Sequence, residues 1–274
     1  MTSDTSSLRP AATVLLVRDC DTADDKLEVF MVVRHHQIDF ASGALVFPGG
    51  KVDAADLNPE LESHLPTNQT MDDPLLPFKI AAIREAFEES FILLARDRTT
   101  GQLVSSERLD KLAEHYRKDM QAGKIDILSM SIAEDLELAT DLLAHYSHWL
   151  TPVFMPKRFD THFFIAQAPE EQLAMHDGEE SIDSVWIGPN DAIQAAKEDR
   201  YTIIFPTLMN LEYLDRYKSA SDAISGSKAT QTVTVLPELD INDEGKFLVI
   251  PAEADYSLTR RHLDPMMEAA LSSK

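Results

Sequence analysis

IAAIREAFEESFILLA, residues 80 to 95, decides how the rest of the chain is read. Its carboxylates Glu85, Glu88 and Glu89 stand at i, i+3 and i+4, so on a helix they share one side within about one turn. Ile83, Phe87, Phe91 and Leu94 recur at i, i+4, i+8 and i+11, and at about 100° per residue they fall roughly opposite the acids. The spacing predicts a helix that anchors one face in a core and presents three acids on the other. Like charges on adjacent turns repel, which costs an isolated helix roughly 0.2–0.5 kcal/mol per pair. A divalent cation among them would remove that repulsion, and Arg84 beside them could hold one carboxylate in place. The residues alone also admit a plain solvated acidic face in a very acidic chain.

Upstream, residues 47 to 56 read FPGGKVDAAD. Together with REAFEES at 84 to 90 they resemble the signature of the Nudix hydrolases, which runs G, five residues, E, seven residues, then R-E-U-x-E-E-x-G-U with U aliphatic. Gly50 takes the first place, Asp56 the first acid, and Arg84, Glu85, Glu88 and Glu89 the central run. Three positions depart from it. Asp56 stands for Glu, a shorter reach for an acid that need not touch a metal. Asp56 and Arg84 lie 28 positions apart, where the signature implies eight, so about twenty residues are inserted. Phe91 replaces Gly, the residue that ends helices in the left-handed conformation without steric cost. With Phe there, the helix is expected to run another turn through Leu93 and Leu94.

A second block, SHWLTPVFMPKRFDTHFF at 147 to 164, resembles the W-x-T-P and R-F-D-T stretch of the coenzyme A diphosphatase branch. That branch also begins its box with FPGG and carries a long insertion in it. The resemblance implies an α/β (α+β) Nudix fold, a mixed β-sheet sandwiched between helices with an inserted helical subdomain. It implies metal-dependent hydrolysis of a small-molecule nucleoside diphosphate derivative, with Mg²⁺ or Mn²⁺ as cofactor. Coenzyme A would give 4′-phosphopantetheine and 3′,5′-ADP. Glu88 and Glu89 would bind the metal with the Gly50 carbonyl, Glu85 would serve as ligand or water-orienting base, and Arg84 would position the acids. The family often adds a carboxylate from a distal loop or its adjoining strand, here Glu179 or Glu180. Gly43 with FPGG resembles a coenzyme A recognition motif, although Asp39 stands where that motif has Arg. A non-catalytic binding module and an RNA cap hydrolase of the same fold remain as alternatives.

Pro48, Gly49 and Gly50 suit a sharp turn that lets backbone approach another group closely. Arg34, ahead of His35 and His36 at a strand end, is a candidate for phosphate contact, as are Lys51 and Arg158; Arg158 could equally pair with Asp160. Residues 11–18 and 28–34 read as two strands of a hairpin. Pro59, Pro66, Pro74 and Pro77 predict a surface loop over 57–77. Leu109, Leu112, Tyr116 and Met120 predict a helix stopped by Gly123, and Ser131 with Glu134 a capping box for another striped by Ile132, Leu136, Ala139 and Leu143. These helices form an inserted cap over 104–148. Residues 161–167 and 184–187 read as strands, and helices are expected from Pro189 and over 205–217. Residues 1–218 are thus expected to form the Nudix domain, and 219–274 a flexible link followed by a peripheral extension packing on it.

With 274 residues, 44% of them hydrophobic, the chain has ample material for a sizeable core. The single Cys20 excludes an intramolecular disulfide and fits a reducing compartment. A net charge of −22 opposes non-specific adhesion to nucleic acid or to anionic membrane. No apolar run approaches a membrane span and the first residues carry no targeting pattern, so the cytoplasm is the expected compartment. The subunit count stays open, a homodimer included.

Overall fold

β1 (Leu8–Asp19) and β2 (Leu27–Arg34) are apolar on both faces along most of their length, and most of their side chains are buried. Strands of this kind belong in the middle of a layered fold. The computed structural model describes residues 8–20, 27–34, 43–172, 181–263, 267–268 and 271, and it places both strands there. β3 (Leu45–Val46) and β4 (Gly49–Lys51) follow, then α1 (Leu76–Ser90) and β5 (Ala95–Asp97). α2 (Ser106–Leu112), a π-helical turn at Ala113–Arg117, α3 (Lys118–Gln121), α4 (Ile127–Ala133) and β6 (Leu136–Leu138) come next. β7 (Ala144–Leu150), β8 (Arg158–Gln167) and β9 (Ser181–Ile187) precede α5 (Pro189–Lys197), α6 (Phe205–Leu214) and α7 (Ala220–Ala229). The chain continues through β10 (Thr234–Val235), β11 (Glu238–Asn242), β12 (Gly245–Val249) and β13 (Arg260–His262).

Eight strands make one mixed sheet in the order β10-β7-β8-β1-β2-β3, with β4 also on β1 and β9 also on β2. β1 and β8 run parallel, from Leu8 opposite Arg158 to Val17 opposite Gln167. One row across this sheet positions the site. Gly50 on β4, Ala12 on β1, His162 on β8, His148 on β7 and Thr234 on β10 are successive partners. Alternation along each strand then sorts side chains between two cores. Ala12, Val14, Leu16, Phe30, Val32 and Phe164 face α1, while Leu15, Val17, Val29, Met31, Phe163 and Ile165 face α5, α6 and α7. Helices therefore cover both faces of a mixed sheet, as expected.

Several local expectations are corrected. Residues 57–77 are not a bare loop: 3-10 helices at Ala54–Leu57 and Pro59–His64 bury Asp56 and Leu61. Asn58 caps the second by accepting from Glu60 N at 3.0 Å, with Pro59 at its first position. The second cap helix starts earlier than expected, because Asp126 rather than Ser131 is its N-cap, accepting from Ser129 N at 2.7 Å. It ends at Ala133, Ile132 is 55% exposed, and Leu136 pairs in β6 with β5. The supposed stripe thus combined a helix with a strand. From Ala144 the chain is already in β7, so the inserted segment rejoins the central sheet before 148.

Residues 219–227 are not a flexible link either. Ser219 caps α7 by accepting from Asp222 N at 3.1 Å, and Ala220 and Ala223 are fully buried beside β7 and β8. Small side chains let this helix come close to the sheet, which its polar composition concealed. Beyond it, β11, β12 and β13 form a separate three-stranded sheet, and Leu248, Ile250 and Leu263 enter the core under α6.

Candidate active site

α1 carries Pro77 at its start, where a missing N–H is harmless, and buries Ile80, Ile83 and Phe87. It stops at Ser90. Phe91 adopts the left-handed conformation, φ 55° and ψ 33°, so the extra turn expected through Leu93 and Leu94 does not form. A non-glycine residue there costs about 1–2 kcal/mol. The inserted segment offsets this: the Arg117 guanidinium lies 3.8 Å above the Phe91 ring centre. Arg117 Nε and Gln121 Nε2 donate to Glu88 O at 2.7 and 3.1 Å, satisfying a carbonyl in the last turn. Beyond it, the buried Gln172 side chain accepts from Leu93 N at 2.9 Å and donates to Leu93 O at 3.2 Å.

Arg84, 5% exposed, is the hub of the acidic face. Its Nε and Nη2 donate to Asp56 Oδ1 and Oδ2 at 3.1 and 3.0 Å, and Nη2 also donates to Lys51 O at 2.8 Å. Nη1 donates to Glu85 Oε1 at 3.0 Å and to Glu88 Oε1 at 3.2 Å. One planar fork therefore ties the box helix to the glycine turn and to the inserted 3-10 helix, a task a point charge could not perform. Asp56 is fully buried and also accepts from Asp53 N at 2.8 Å, so the shorter acid still reaches Arg84 across the insertion. Burial opposes the Arg84 charge, but Glu85, Asp56 and Glu88 outweigh it and raise its pKa. Burial also raises the carboxyls of Asp56 and Glu88, with Arg84 pulling both back down.

Gly49 N donates to Glu89 Oε2 at 3.0 Å, and the Glu85 carboxylate fills the space a Cβ on Gly50 would need. A Cβ on Gly49 would likewise meet Ala12 O. Glu85 and Glu89 thus converge on the Gly49-Gly50 backbone, and Arg84 ties Glu88 to Glu85. Asp56, Glu85 and Glu88 gather about the Arg84 guanidinium while Glu89 stands on the glycine turn, all oxygen donors, a set that suits a hard divalent cation such as Mg²⁺ or Mn²⁺.

The other sequence candidates are dispersed. The Lys51 side chain is exposed beside the turn while its carbonyl serves Arg84. Arg158 is 6% exposed and its Nε donates to Thr151 O at 3.2 Å. Asp160 does not form the pair with Arg158 that the sequence admitted, since His148 Nε2 lies 2.6 Å from its Oδ1. Arg34 is the last residue of β2, paired with Ser181, but its side chain lies outside the described residues, as do His35, His36, Asp39, Glu179 and Glu180.

Sequence reasoning missed a histidine cluster. His145 and His148 on β7 and His162 on β8 gather with Asp160 beside Phe78 of α1. Burial, with His148 alongside, pushes His162 down to about 3 and His145 to about 4. The i, i+2 spacing of Asp160 and His162 places both on one strand face, but only the register of β7 against β8 brings His148 to them.

A family model described as the NUDT19 Nudix domain matches residues 68–214, more than half of the chain. The chain belongs to the Nudix family. Its Nudix relatives include the putative nudix hydrolase 7 of Caenorhabditis elegans, 29% identical over 217 residues, covering 78% of this chain and 63% of that protein. The acyl-coenzyme A diphosphatase NUDT19 of Homo sapiens is 26% identical over 222 residues, covering 67% of this chain and 59% of that protein. The chain thus spans 59% to 63% of the length of these curated relatives. The crystal structure of a NUDIX hydrolase from Alicyclobacillus acidocaldarius matches with a TM-score of 0.61 at 26% identity, covering 80% of this chain and 96% of that one. Among the described residues, no helix is long and apolar enough to cross a membrane.

Proposed function

We propose that this Nudix chain hydrolyses the diphosphate linkage of a nucleoside diphosphate derivative, with coenzyme A or an acyl-coenzyme A as the substrate class. The observation that carries this reading is the placing of Glu85 and Glu89 against the Gly49-Gly50 turn, with Arg84 holding Glu85 and Glu88 together. In it, Glu88, Glu89 and the Gly50 carbonyl hold Mg²⁺ or Mn²⁺, and Glu85 is a further ligand or the base that orients water. A divalent ion bound there lowers the pKa of its water and offsets charge on the phosphoryl oxygens. Arg84 fixes the separation of Glu85 and Glu88, and Gly49 N–H fixes Glu89, so the donors need little reorganisation on loading. Lys51 beside the turn, with Arg34 and Arg158, is assigned to phosphate contact, and Glu179 to the distal carboxylate.

The name of the NUDT19 relatives supports the coenzyme A part of the reading, as does FPGG following Gly43. Phe91 and Asp56, as departures from the Nudix signature, are the residues on which a non-catalytic module would rest. Their geometry now weighs against it, because Asp56 holds Arg84 and Phe91 still terminates α1. A cap hydrolase needs a basic channel, which a net charge of −22 does not favour.

Product release with Mg²⁺ should be measured across coenzyme A, acyl-coenzyme A, ADP-ribose, NADH and capped RNA. The expected outcome is cleavage of the coenzyme A compounds to 3′,5′-ADP, lost by orders of magnitude in Glu89→Gln with little change in melting temperature. Tight binding of one diphosphate without turnover would sink the enzyme reading, and turnover of ADP-ribose or NADH alone would sink the substrate assignment.

A further inference from the structure

The sheet row that starts at Gly50 runs on into a cluster that diphosphate hydrolysis leaves unused. His148 Nε2 lies 2.6 Å and His162 Nε2 3.7 Å from the same oxygen of Asp160. One ligand atom from each of the three can be chosen so that all lie within 4.8 Å of one another. The second nitrogen of each ring is also held: His148 Nδ1 is 2.8 Å from Thr234 Oγ1, and His162 Nδ1 is 3.0 Å from His145 Nε2. We propose that His148, Asp160 and His162 form a second divalent-metal site, with nitrogen and oxygen donors suited to an ion of the Zn²⁺ class.

Bonds of about 2.0–2.1 Å in tetrahedral geometry set neighbouring donors about 3.3–3.4 Å apart. The observed 2.6 and 3.7 Å bracket that spacing. The His148 and His162 rings, stacked 4.0 Å apart, must splay for both lone pairs to reach one ion. The short contact between His148 Nε2 and Asp160 Oδ1 is the place an ion would enter, displacing any proton held there, as metal binding to imidazole generally does. Anchoring the far nitrogen of each imidazole, here by Thr234 and His145, is the arrangement that orients histidine ligands.

Two imidazoles and one carboxylate prefer Zn²⁺, Co²⁺ or Ni²⁺ to Mg²⁺, which separates this cluster chemically from the all-oxygen box. It lies in the same sheet as the glycine turn: His162 is two strands from Gly50, about 10 Å at the usual strand spacing. An ion there would clasp β7 to β8 and, through Thr234, secure β10 at the sheet edge.

The full chain, stripped with chelator and held in saturating Mg²⁺ to fill the box, should be titrated with Zn²⁺ by calorimetry and with Co²⁺ by visible absorption. One equivalent of Zn²⁺ is expected to bind, and Co²⁺ to develop ligand-field bands. His148→Gln and His162→Gln should each weaken binding roughly 100-fold, while Glu89→Gln leaves it intact. Should either histidine variant fail to fold, Asp160→Asn keeps the shape and the same loss is expected. Absence of stoichiometric Zn²⁺ binding, or binding lost in Glu89→Gln yet kept in the histidine variants, would overturn the site.

Discussion

Arg84 shows how one side chain can be both structural and preparatory for chemistry. Five donors in a rigid plane reach Asp56, Glu85, Glu88 and Lys51 O, so the same contacts that secure the insertion also set the acids. Buried pairs of this kind are weak evidence for net stability, because desolvation opposes their attraction, but breaking one is costly. Arg84→Met would leave Asp56, with no exposure, stripped of its counter-charge. The expected loss is about 3–5 kcal/mol in urea unfolding at neutral pH. A loss under 1 kcal/mol would mean that Asp56 is already protonated in the native protein and needs no counter-charge. The acids and the arginine were legible from spacing. The partnership with Asp56 was not, because 28 positions of chain separate the two and only the folding of the insertion closes that distance.

α1 is an element whose body follows from its sequence and whose end does not. The stripe through Ile83 and Phe87 predicts its buried face, and both are fully buried. Where it stops depends on α3 and the π turn before it, which place Arg117 over Phe91 and against Glu88 O. Removing that grip frees the last turn, on which Glu88 and Glu89 stand. Arg117→Ala is therefore expected to cost about 1.5–3 kcal/mol through the lost charge-assisted hydrogen bond. It should also raise the Mg²⁺ concentration needed for half-maximal activity more than it lowers the rate at saturating Mg²⁺. Equal loss at all Mg²⁺ concentrations would show that the grip does not act through the acids. α7 teaches the converse: its serines and alanines look like a linker until a sheet supplies the surface on which small side chains pack.

The whole molecule carries a pH dependence to which half-buried His145 and buried His162 contribute. In chelated protein, His145 and His162 titrate at about 4 and about 3 when folded, against an ordinary value of 6.5. As pH falls below 6.5 the unfolded chain takes up these protons first. The stability these rings contribute is thus complete above pH 6.5 and is lost progressively as pH falls from 6.5 to about 4 for His145 and to about 3 for His162. Relief of acidic self-repulsion in a chain of net charge −22 works in the opposite direction. The two separate by difference: the fall in melting temperature from pH 7.5 to 5 should be smaller in His145→Asn than in the wild type. An identical fall would show that His145 is as readily protonated in the folded protein as in the unfolded chain.

What the sequence by itself determined was which residues share a face, since the periods of helix and strand are properties of the local chain. That sufficed for three acids on one turn and for the strands β1 and β2, while the order of residues in the two motif blocks carried the Nudix resemblance. The tertiary structure alone decided which faces meet. Asp56 finds Arg84, Arg117 holds Phe91 in a conformation its type disfavours, and His148 reaches Asp160 and His162 through strand register. Each of these contacts joins distant segments, and only packing of the whole chain offsets the entropy of bringing such segments together.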